Sequence, residues 1–514
     1  MTAAVETVNG WVWSPALVGL CLAAGLYFSI GTRFVQVRRF GEMFRLLFGS
    51  AGKDGKKVGI SSFQAFAMAL SGRVGTGNIV GVATAIGFGG PGAIVWMWII
   101  AFFGAGSAFA EATLAQIYKE NHHGQFRGGP AYYIEKGLHS PFFGMLFAVL
   151  AAMACGVFLP PVQSNGIALS CARTFNIDVW VVGFVVAVLI ALVIMGGVKR
   201  IANVAQIVAP FMALLYILLA LVVLVVHYRM VPGVFMDMLR GAVGINEVSG
   251  AILGSTIAWG VKRGIYSNEA GQGTGPIVAA AAKVNHPVKQ GLVQAFSVYI
   301  DTLLVCTATA LMILACRTYN IIGSVTHTPD GAVLTYLQQH PNAPLGEPGV
   351  FYTTSAIGSV IGPRMGDTVI SIALFFFAFT TIMAYYYYAE TNLVYLFNRF
   401  RRRQLLRHPE RKEAVEKMDE VFGDDRSEKI VVWLLRACTV VAVFCGSLAG
   451  SGIVWTLGDI GVGAMAWINI LAILLLSPKA LRSLKDYERQ RKQGQDPHFD
   501  PDALHISQAD YWKE

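Results

Sequence analysis

A glycine-rich stretch, SGRVGTGN, interrupts a long apolar segment and begins at Ser71. Gly75 and Gly77 let the backbone leave a helix there, and such backbone survives at membrane depth only beside protein, water or a ligand. A half-helix that begins near Asn78 would present free N–H groups to a carboxylate. The carbonyls of Ser71 and Val74, on the preceding half-helix, would suit a cation. A glycine-rich packing face is the alternative interpretation.

A second stretch, Gly260–Pro276, places three charges inside an apolar span, which is costly in lipid. Pro276 cannot donate to a helix and fits the start of a half-helix. Carbonyls of residues 267–271 would accept hydrogen bonds from an ammonium group. Arg263 and Glu269 either serve function or pair structurally, with each other or with the span that contains the first stretch, and the sequence leaves their roles open.

A later span contains Phe377, Thr380 and Thr381. On a helix, the carbonyl of Phe377 and both hydroxyls share one face. Hard oxygen ligands without net charge suit a monovalent cation better than Zn²⁺ or Mg²⁺. The alternative is that the threonine hydroxyls bond back to carbonyls of their own helix.

Several other polar residues lie within apolar segments. Gln163 and Asn165 must find hydrogen-bond partners, either on neighbouring helices or on a substrate. Glu111 and Asp301 are intramembrane carboxylates that could relay protons or pair within a network. Asp459 lies near a span end and is a weaker candidate.

The composition places all of these residues in a membrane. The chain has 514 residues, of which 55% are hydrophobic and 14% are charged, and it contains 55 glycines. Soluble domains carry about 25% charged residues, so soluble, disordered and fibrous proteins are excluded. The net charge of +9 is typical of basic cytoplasmic loops and does not indicate nucleic-acid binding. A nucleophile elbow, a Walker loop and an HExxH motif are all missing, which disfavours an intramembrane enzyme or an ATP-driven pump.

Apolar runs predict an all-α polytopic protein with about eleven spans, near 12–31, 61–88, 91–117, 142–169, 177–197, 202–227, 250–282, 287–314, 366–394, 430–449 and 455–476. The two glycine-rich breaks fall five spans apart, in the second and seventh spans. Because five is odd, two successive repeats of five spans would enter the membrane from opposite sides. Broken helices at corresponding positions of an inverted repeat indicate the site of a secondary transporter.

This repeat defines the predicted organisation. Residues 1–60 form an extra N-terminal helix and a cytoplasmic amphipathic segment. Residues 61–228 and 250–476 form the first and second five-helix repeats, and residues 477–514 form a cytoplasmic tail. Lys and Arg concentrate in loops that fall on one side if the spans alternate, which places the N-terminus outside and the C-terminus in the cytoplasm. The nearly neutral segment 317–365 falls on the outer side.

The sequence resembles the alanine or glycine:cation symporters, also called sodium:alanine symporters. The resemblance covers roughly residues 10–480, and six stretches carry it: Ser71–Ile86 (SGRVGTGNIVGVATAI), Gly89–Trp98 (GGPGAIVWMW), Glu111–Tyr118 (EATLAQIY), Gly128–Tyr133 (GGPAYY), Gly264–Lys283 (GIYSNEAGQGTGPIVAAAAK) and Asp301–Leu314 (DTLLVCTATALMIL). It implies an eleven-helix version of the five-plus-five LeuT-type fold. It also implies cotransport of alanine or glycine with Na⁺, less often H⁺, across the bacterial inner membrane.

The resemblance also assigns residues to sites. It matches six positions to the substrate site: Thr76, Gly77, Asn78, Gln163, Ser267 and Asn268. We add Asn165, the second polar residue of the fourth span, to this predicted substrate site. The positions that match the sodium site shared by this fold are Ser71, Val74, Phe377, Thr380 and Thr381. We therefore expect a transporter, not an enzyme, whose partners are a small amino acid, Na⁺ and the lipid bilayer. We expect no cofactor, no nucleic acid and no obligate protein partner.

Overall fold

The computed structural model describes residues 2–48, 59–122, 124–245, 252–328, 331–407 and 426–513. These residues are mostly helical. Within them, eight helices are long and apolar enough to cross a membrane: Ala4–Gly31 (formed by Thr2–Val12 and Pro15–Gly31), Gly92–Ile117, Pro141–Phe175, Gly197–Val226, Pro287–Cys316, Pro363–Arg401 (part of Pro363–Arg407), Ser427–Leu448 (part of Arg426–Leu448) and Ser451–Lys492.

Shorter elements connect these helices. The helices are Val35–Arg38, Phe40–Phe48, Ser62–Arg73, Gly77–Gly81, Val82–Gly89, Pro130–Leu138, Val179–Ile194, Val231–Ala242, Leu253–Asn268, Gly275–Ala281, Val350–Ile361 and Asp510–Lys513. Two antiparallel hairpins pair Glu120–His122 with Gln125–Arg127 and Ile321–Thr328 with Gly331–Gln338. Helix Pro141–Phe175 contains a π-turn at Ala154–Phe158, and helix Pro287–Cys316 contains one at Tyr299–Cys306.

Two interrupted helices lie where the sequence predicts breaks. We call Ser62–Arg73 with Gly77–Gly89 the first broken helix, and Leu253–Asn268 with Gly275–Ala281 the second broken helix. Helix Gly92–Ile117 packs against both halves of the second one. This packing is close, because a Cβ atom on Gly264 would lie 2.3 Å from the Ile100 side chain.

The two broken helices are joined at one end by backbone hydrogen bonds. The Ile60 N–H donates to the Ala281 carbonyl at 3.1 Å, and the Lys283 N–H donates to the Ile60 carbonyl at 2.9 Å. Ile60 and Ala282 thus form an isolated parallel bridge, which precedes the first broken helix and follows the second.

The segments outside the predicted spans contain more structure than their composition suggests. Segment 317–365 was expected only as a neutral connection, yet it contains a β-hairpin and helix Val350–Ile361. The last long helix does not end at the predicted start of the tail, near residue 477, but continues to Lys492. The polar segment 404–428 lies mostly outside the described residues.

The C-terminal segment, residues 493–513, folds back onto the loops that follow the helices. The indole of Trp512 donates to the Gln116 carbonyl at 2.9 Å. The buried ammonium group of Lys119 lies 4.3 Å from the ring centre of Phe126 and 4.4 Å from that of Tyr511. These cation–π contacts attach the end of the chain to the first hairpin.

His286 lies at the centre of a second attachment of this segment. Its side chain is fully buried, and the rings of Tyr487 and Phe499 pack against it. Its Nδ1 accepts a hydrogen bond from the Val288 N–H at 3.2 Å, and Nε2 lies 3.5 Å from Asp486. Because burial disfavours the charged imidazole, it lowers the pKa of His286, against the opposing effect of Asp486.

Candidate functional site

The first break begins where Val74 leaves the helical conformation, with φ −80° and ψ 96°. The helix restarts at Gly77, and the intervening Gly75 packs too closely for any side chain. A Cβ atom on Gly75 would lie 2.6 Å from the Thr381 hydroxyl and 2.8 Å from the Gln163 amide oxygen. Glycine at this position therefore brings the fourth and ninth predicted spans onto the break.

Four of the five residues predicted to bind sodium meet at this point, and the fifth, Thr380, lies beside them on the same helix as Thr381. The Thr381 hydroxyl lies 2.8 Å from the Ser71 carbonyl, 3.2 Å from that of Val74 and 2.9 Å from that of Phe377. The hydroxyl of Thr380 bonds only to carbonyls of its own helix, at Phe376 and Phe377. All five residues are almost inaccessible to solvent.

The chemistry of this group suits a small cation. One hydroxyl proton can satisfy one carbonyl, yet three carbonyl oxygens surround the hydroxyl of Thr381. The Ser71 and Val74 carbonyls are free of helical partners because the helix ends there. A cation ligated by uncharged oxygens would satisfy all of them at once.

Amide side chains accept hydrogen bonds from two backbone N–H groups of the first break. Gln163 Oε1 accepts hydrogen bonds from the Thr76 N–H at 3.0 Å and the Thr76 hydroxyl at 3.1 Å. Asn78 Oδ1 accepts from the Gly75 N–H at 2.9 Å. Gly77 lies under the Tyr266 ring of the second broken helix, whose nearest carbon would be 3.2 Å from a Cβ. Of the predicted carboxylate-binding N–H groups, that of Thr76 is thus engaged by the Gln163 amide oxygen, and that of Asn78 donates to the Gly75 carbonyl at 3.2 Å.

The second break runs from Glu269 to Thr274, between Asn268 and Gly275. Glu269 adopts a left-handed φ of +56°, and Gly271 and Gly273 have φ values of +80° and +94°. The Asn268 amide bridges this turn to a neighbouring helix, because it accepts from the Ala270 N–H at 3.0 Å and donates to the Thr302 hydroxyl at 3.3 Å.

Asp301 links the two breaks, although the predicted site set does not include it. Its carboxylate accepts hydrogen bonds from the amide of Asn78 at 2.6 Å and the hydroxyls of Ser267 and Thr302 at 2.7 Å. It projects from the π-turn of helix Pro287–Cys316 and is fully buried. An acidic residue within an apolar run was the available signal, but its partners come from distant parts of the chain.

Asn165 makes different contacts from the other predicted substrate residues. Its amide donates to the carbonyls of Gly446 and Ala449, at 3.1 Å and 2.8 Å, and accepts from the Ser451 hydroxyl at 3.0 Å. It therefore joins its helix to the last two long helices, which corresponds to the helix-packing alternative for this residue.

Arg263 does not pair with Glu269 or with the first stretch, which corrects the structural pairing considered for it. Its guanidinium makes a two-pronged contact with Asp459, at 3.0 Å and 2.9 Å, and Lys262 contacts the same carboxylate at 2.7 Å. This buried group joins the second broken helix to helix Ser451–Lys492. Sequence reasoning ranked Asp459 low because it lies near a span end.

Glu111 anchors the second break from a third helix. It accepts hydrogen bonds from the Asn469 amide at 2.8 Å and the Gly271 N–H at 3.3 Å. The hydroxyl of Tyr133 donates to the same Asn469 side chain. Glu111 therefore holds the irregular backbone through a hydrogen-bond network.

Comparison with known proteins agrees with the predicted family. The sequence model of the family described as "Sodium:alanine symporter family" matches residues 1–408 and 421–501 of this chain. Bacillus subtilis (strain 168) YrbD, named provisionally as a sodium/proton-dependent alanine carrier, is 50% identical over 99% of this chain and 97% of its own length. A sodium/proton-dependent alanine carrier protein of Bacillus sp. (strain PS3) is 42% identical over 92% of this chain and 97% of its own.

A third relative has a different cargo in its name. Bacillus subtilis (strain 168) GlnT, named provisionally as a sodium/glutamine symporter, is 39% identical over 97% of this chain and 93% of its own. The cargo in a relative's name therefore does not define the cargo of every member. Because the match extends over nearly the whole chain, the protein belongs to the sodium:alanine symporter family, whose members are secondary transporters and not enzymes.

Proposed function

We propose that this protein is a Na⁺-coupled symporter that imports a small neutral amino acid, alanine, glycine or both, by alternating access. The observation that carries the proposal is the group of carbonyls around Thr381, between the first broken helix and helix Pro363–Arg407. The alanine in two relatives' names supports the cargo, and the sodium/proton wording of those names leaves H⁺ as a second coupling ion.

Sodium would bind first, to the carbonyls of Ser71, Val74 and Phe377 and the hydroxyls of Thr380 and Thr381. The Thr381 hydroxyl would turn its proton away so that its oxygen faces the ion. Because these ligands come from two separate elements, ion binding would fix the first break against helix Pro363–Arg407. The free energy of ion binding would thereby order the substrate segment.

The amino acid would then bind between the two breaks. Its carboxylate would dock on the N–H groups of residues 76–78. This requires the Thr76 N–H to leave the Gln163 amide oxygen and the Asn78 N–H to leave the Gly75 carbonyl. Its ammonium group would face the carbonyls of residues 267–271, with Ser267 and Asn268 at the rim. Asn165 would hold the helix that carries Gln163 in place.

The proposed architecture is the five-plus-five inverted repeat with one extra N-terminal helix. Eleven spans result if the two broken helices and Val179–Ile194 are added to the eight long helices. The repeats would be residues 61–228 and 250–476, flanked by segments 1–60 and 477–514. The N-terminus would lie outside the bacterial cytoplasmic membrane and the C-terminus inside, with no cofactor and no obligate protein partner.

The deciding experiment is uptake into proteoliposomes. We expect alanine or glycine to accumulate against its gradient only when an inward Na⁺ or H⁺ gradient is imposed, and glutamine serves as the competing cargo. An inside-negative potential should increase uptake, because it contributes about 2.3 kcal/mol per charge per 100 mV. Flux without ion-dependent accumulation would indicate a uniporter or channel, and chemical turnover in detergent would indicate an enzyme.

A further inference from the structure

Glu269 is a buried carboxylate without adequate hydrogen-bond donors. It begins the second break and is fully buried. Its Oε1 has no hydrogen-bond partner, and its Oε2 receives only a long contact of 3.5 Å from the Tyr388 hydroxyl. The Thr274 hydroxyl lies near it but makes no hydrogen bond. An ionised carboxylate in this position would lose its solvation without compensation.

The other buried carboxylates of the described residues have partners on both oxygens. Asp301 has three donors at 2.6–2.7 Å, and Glu111 has one donor on each oxygen. The remaining three are bound by cations and by other donors, and these are Glu390, Asp459 and Asp486. Glu269 is thus the exception within this part of the chain.

The charges that face Glu269 do not neutralise it. Arg73 attracts it electrostatically but lies beyond ion-pair distance, and its Nη1 is engaged by Gln294 and Ser297. Asp301 and Glu111 repel it. One guanidinium thus faces three carboxylates. The other titratable groups around Glu269 are uncharged hydroxyls and a thiol: Tyr266, Tyr385, Tyr388 and Cys155.

We propose that Glu269 binds a proton that is carried together with the amino acid, an inference that rests on the proposed symport and identifies the proton site within it. A hydronium ion of the solution donates its proton to the carboxylate and becomes water when the break is open to one side of the membrane. The neutral carboxyl group can then stay buried, without hydrogen-bond donors, when the break is closed to water. When the break opens to the other side, the O–H bond breaks and the proton returns to water, leaving the carboxylate.

The test measures protons carried per alanine in proteoliposomes that contain a trapped pH-sensitive dye. Uptake runs at saturating Na⁺ and with no initial pH gradient. Wild-type protein should acidify the lumen in proportion to alanine uptake. Alanine that enters through Glu269→Gln should carry at least tenfold fewer protons. Glu111→Gln is the matched control, since it removes a carboxylate with a similar location that has hydrogen bonds on both oxygens, and it should keep the wild-type ratio.

Several outcomes would overturn the proposal. If the wild-type protein accumulates alanine without acidifying the lumen, no proton is carried with it. The inference is then wrong, and the proposed Na⁺ symport stands. An unchanged ratio in Glu269→Gln assigns the proton to another group. If that variant does not fold, Glu269→Asp is measured in its place. It should still carry protons, but the pH at which alanine-coupled proton movement is half-maximal should shift. An unchanged half-maximal pH contradicts the inference. Failure of wild-type accumulation under every Na⁺ gradient would instead contradict the proposed function.

Discussion

At the scale of single residues, the two neighbouring threonines of the proposed ion site differ in what they contact. Thr381 reaches the carbonyls of the first broken helix, whereas Thr380 reaches only its own helix. The sequence predicted both as ligands because their spacing and hydroxyl chemistry are equal. It could not distinguish them, because the difference depends on where a distant helix end lies.

The first prediction uses this difference. Thr381→Ala should raise the Na⁺ concentration for half-maximal uptake at least tenfold, which corresponds to about 1.4 kcal/mol. Thr380→Ala removes a hydroxyl that bonds within its helix, so its effect should be smaller. Sodium titration of alanine uptake measures both. An unchanged Na⁺ requirement in the double variant would contradict the ion-site assignment. Equal effects of the two single variants would contradict the difference between their roles.

The second prediction concerns close packing at the first break. Gly75→Ala should abolish Na⁺-dependent alanine binding, because its Cβ would displace Thr381 and Gln163. Gly81→Ala adds the same methyl group a few residues later, where its nearest neighbour, the Arg263 side chain, lies at an ordinary 3.6 Å. Binding measured by calorimetry should survive in Gly81→Ala. Normal binding by Gly75→Ala would disprove the close approach.

At the scale of secondary-structure elements, buried polar contacts fix the broken helices to their surroundings. Arg263 and Lys262 share Asp459 on helix Ser451–Lys492, and Glu111 on helix Gly92–Ile117 holds the second break. The existence and place of the breaks followed from glycine, proline and charge inside apolar runs. The partners did not, because the sequence contains no record of which helices are neighbours.

The third prediction tests the pairing of Asp459. Asp459→Asn should reduce the free energy of unfolding by about 3–5 kcal/mol, since it leaves the buried guanidinium of Arg263 and the partly buried ammonium of Lys262 without their carboxylate. Asp510→Asn removes an exposed partner of Lys136 and should cost less than about 1 kcal/mol. Unfolding in detergent, followed by fluorescence, measures both variants. Similar losses would show that Asp459 does not compensate buried charge.

The fourth prediction concerns pH and the C-terminal segment. The pKa of His286 is lower with the segment docked than its usual value near 6.5, so the undocked state binds the proton more readily. Docking should therefore be fully stable above about pH 6.5 and weaken as the pH falls below that value. Hydrogen exchange of residues 493–513 should accelerate between pH 7.5 and 5.5, after correction for intrinsic rates.

Two variants separate His286 from other histidines. His286→Asn keeps an acceptor for the Val288 N–H but cannot titrate in this range, so the pH effect should disappear. His498→Asn changes an exposed histidine of the segment itself and should keep the effect. If the pH effect disappears in His498→Asn but persists in His286→Asn, its assignment to His286 is wrong.

At the scale of the whole molecule, apolar runs and the family motifs were sufficient to predict a helical membrane transporter. They did not predict the two hairpins or the docked C-terminal segment, whose composition alone indicates loops. Long-range contacts stabilise these parts, as in the packing of Lys119 against Phe126 and Tyr511. Such contacts depend on how the chain ends fold back, which a local pattern cannot specify.

The bridge at Ile60 has a mechanical consequence for the transport cycle. Two backbone hydrogen bonds tie the start of the first broken helix to the end of the second. A pull on either half-helix is therefore transmitted to the other through the main chain, whatever the side chains are. In the proposed transport cycle, we therefore expect half-helices Ser62–Arg73 and Gly275–Ala281 to move together and not separately.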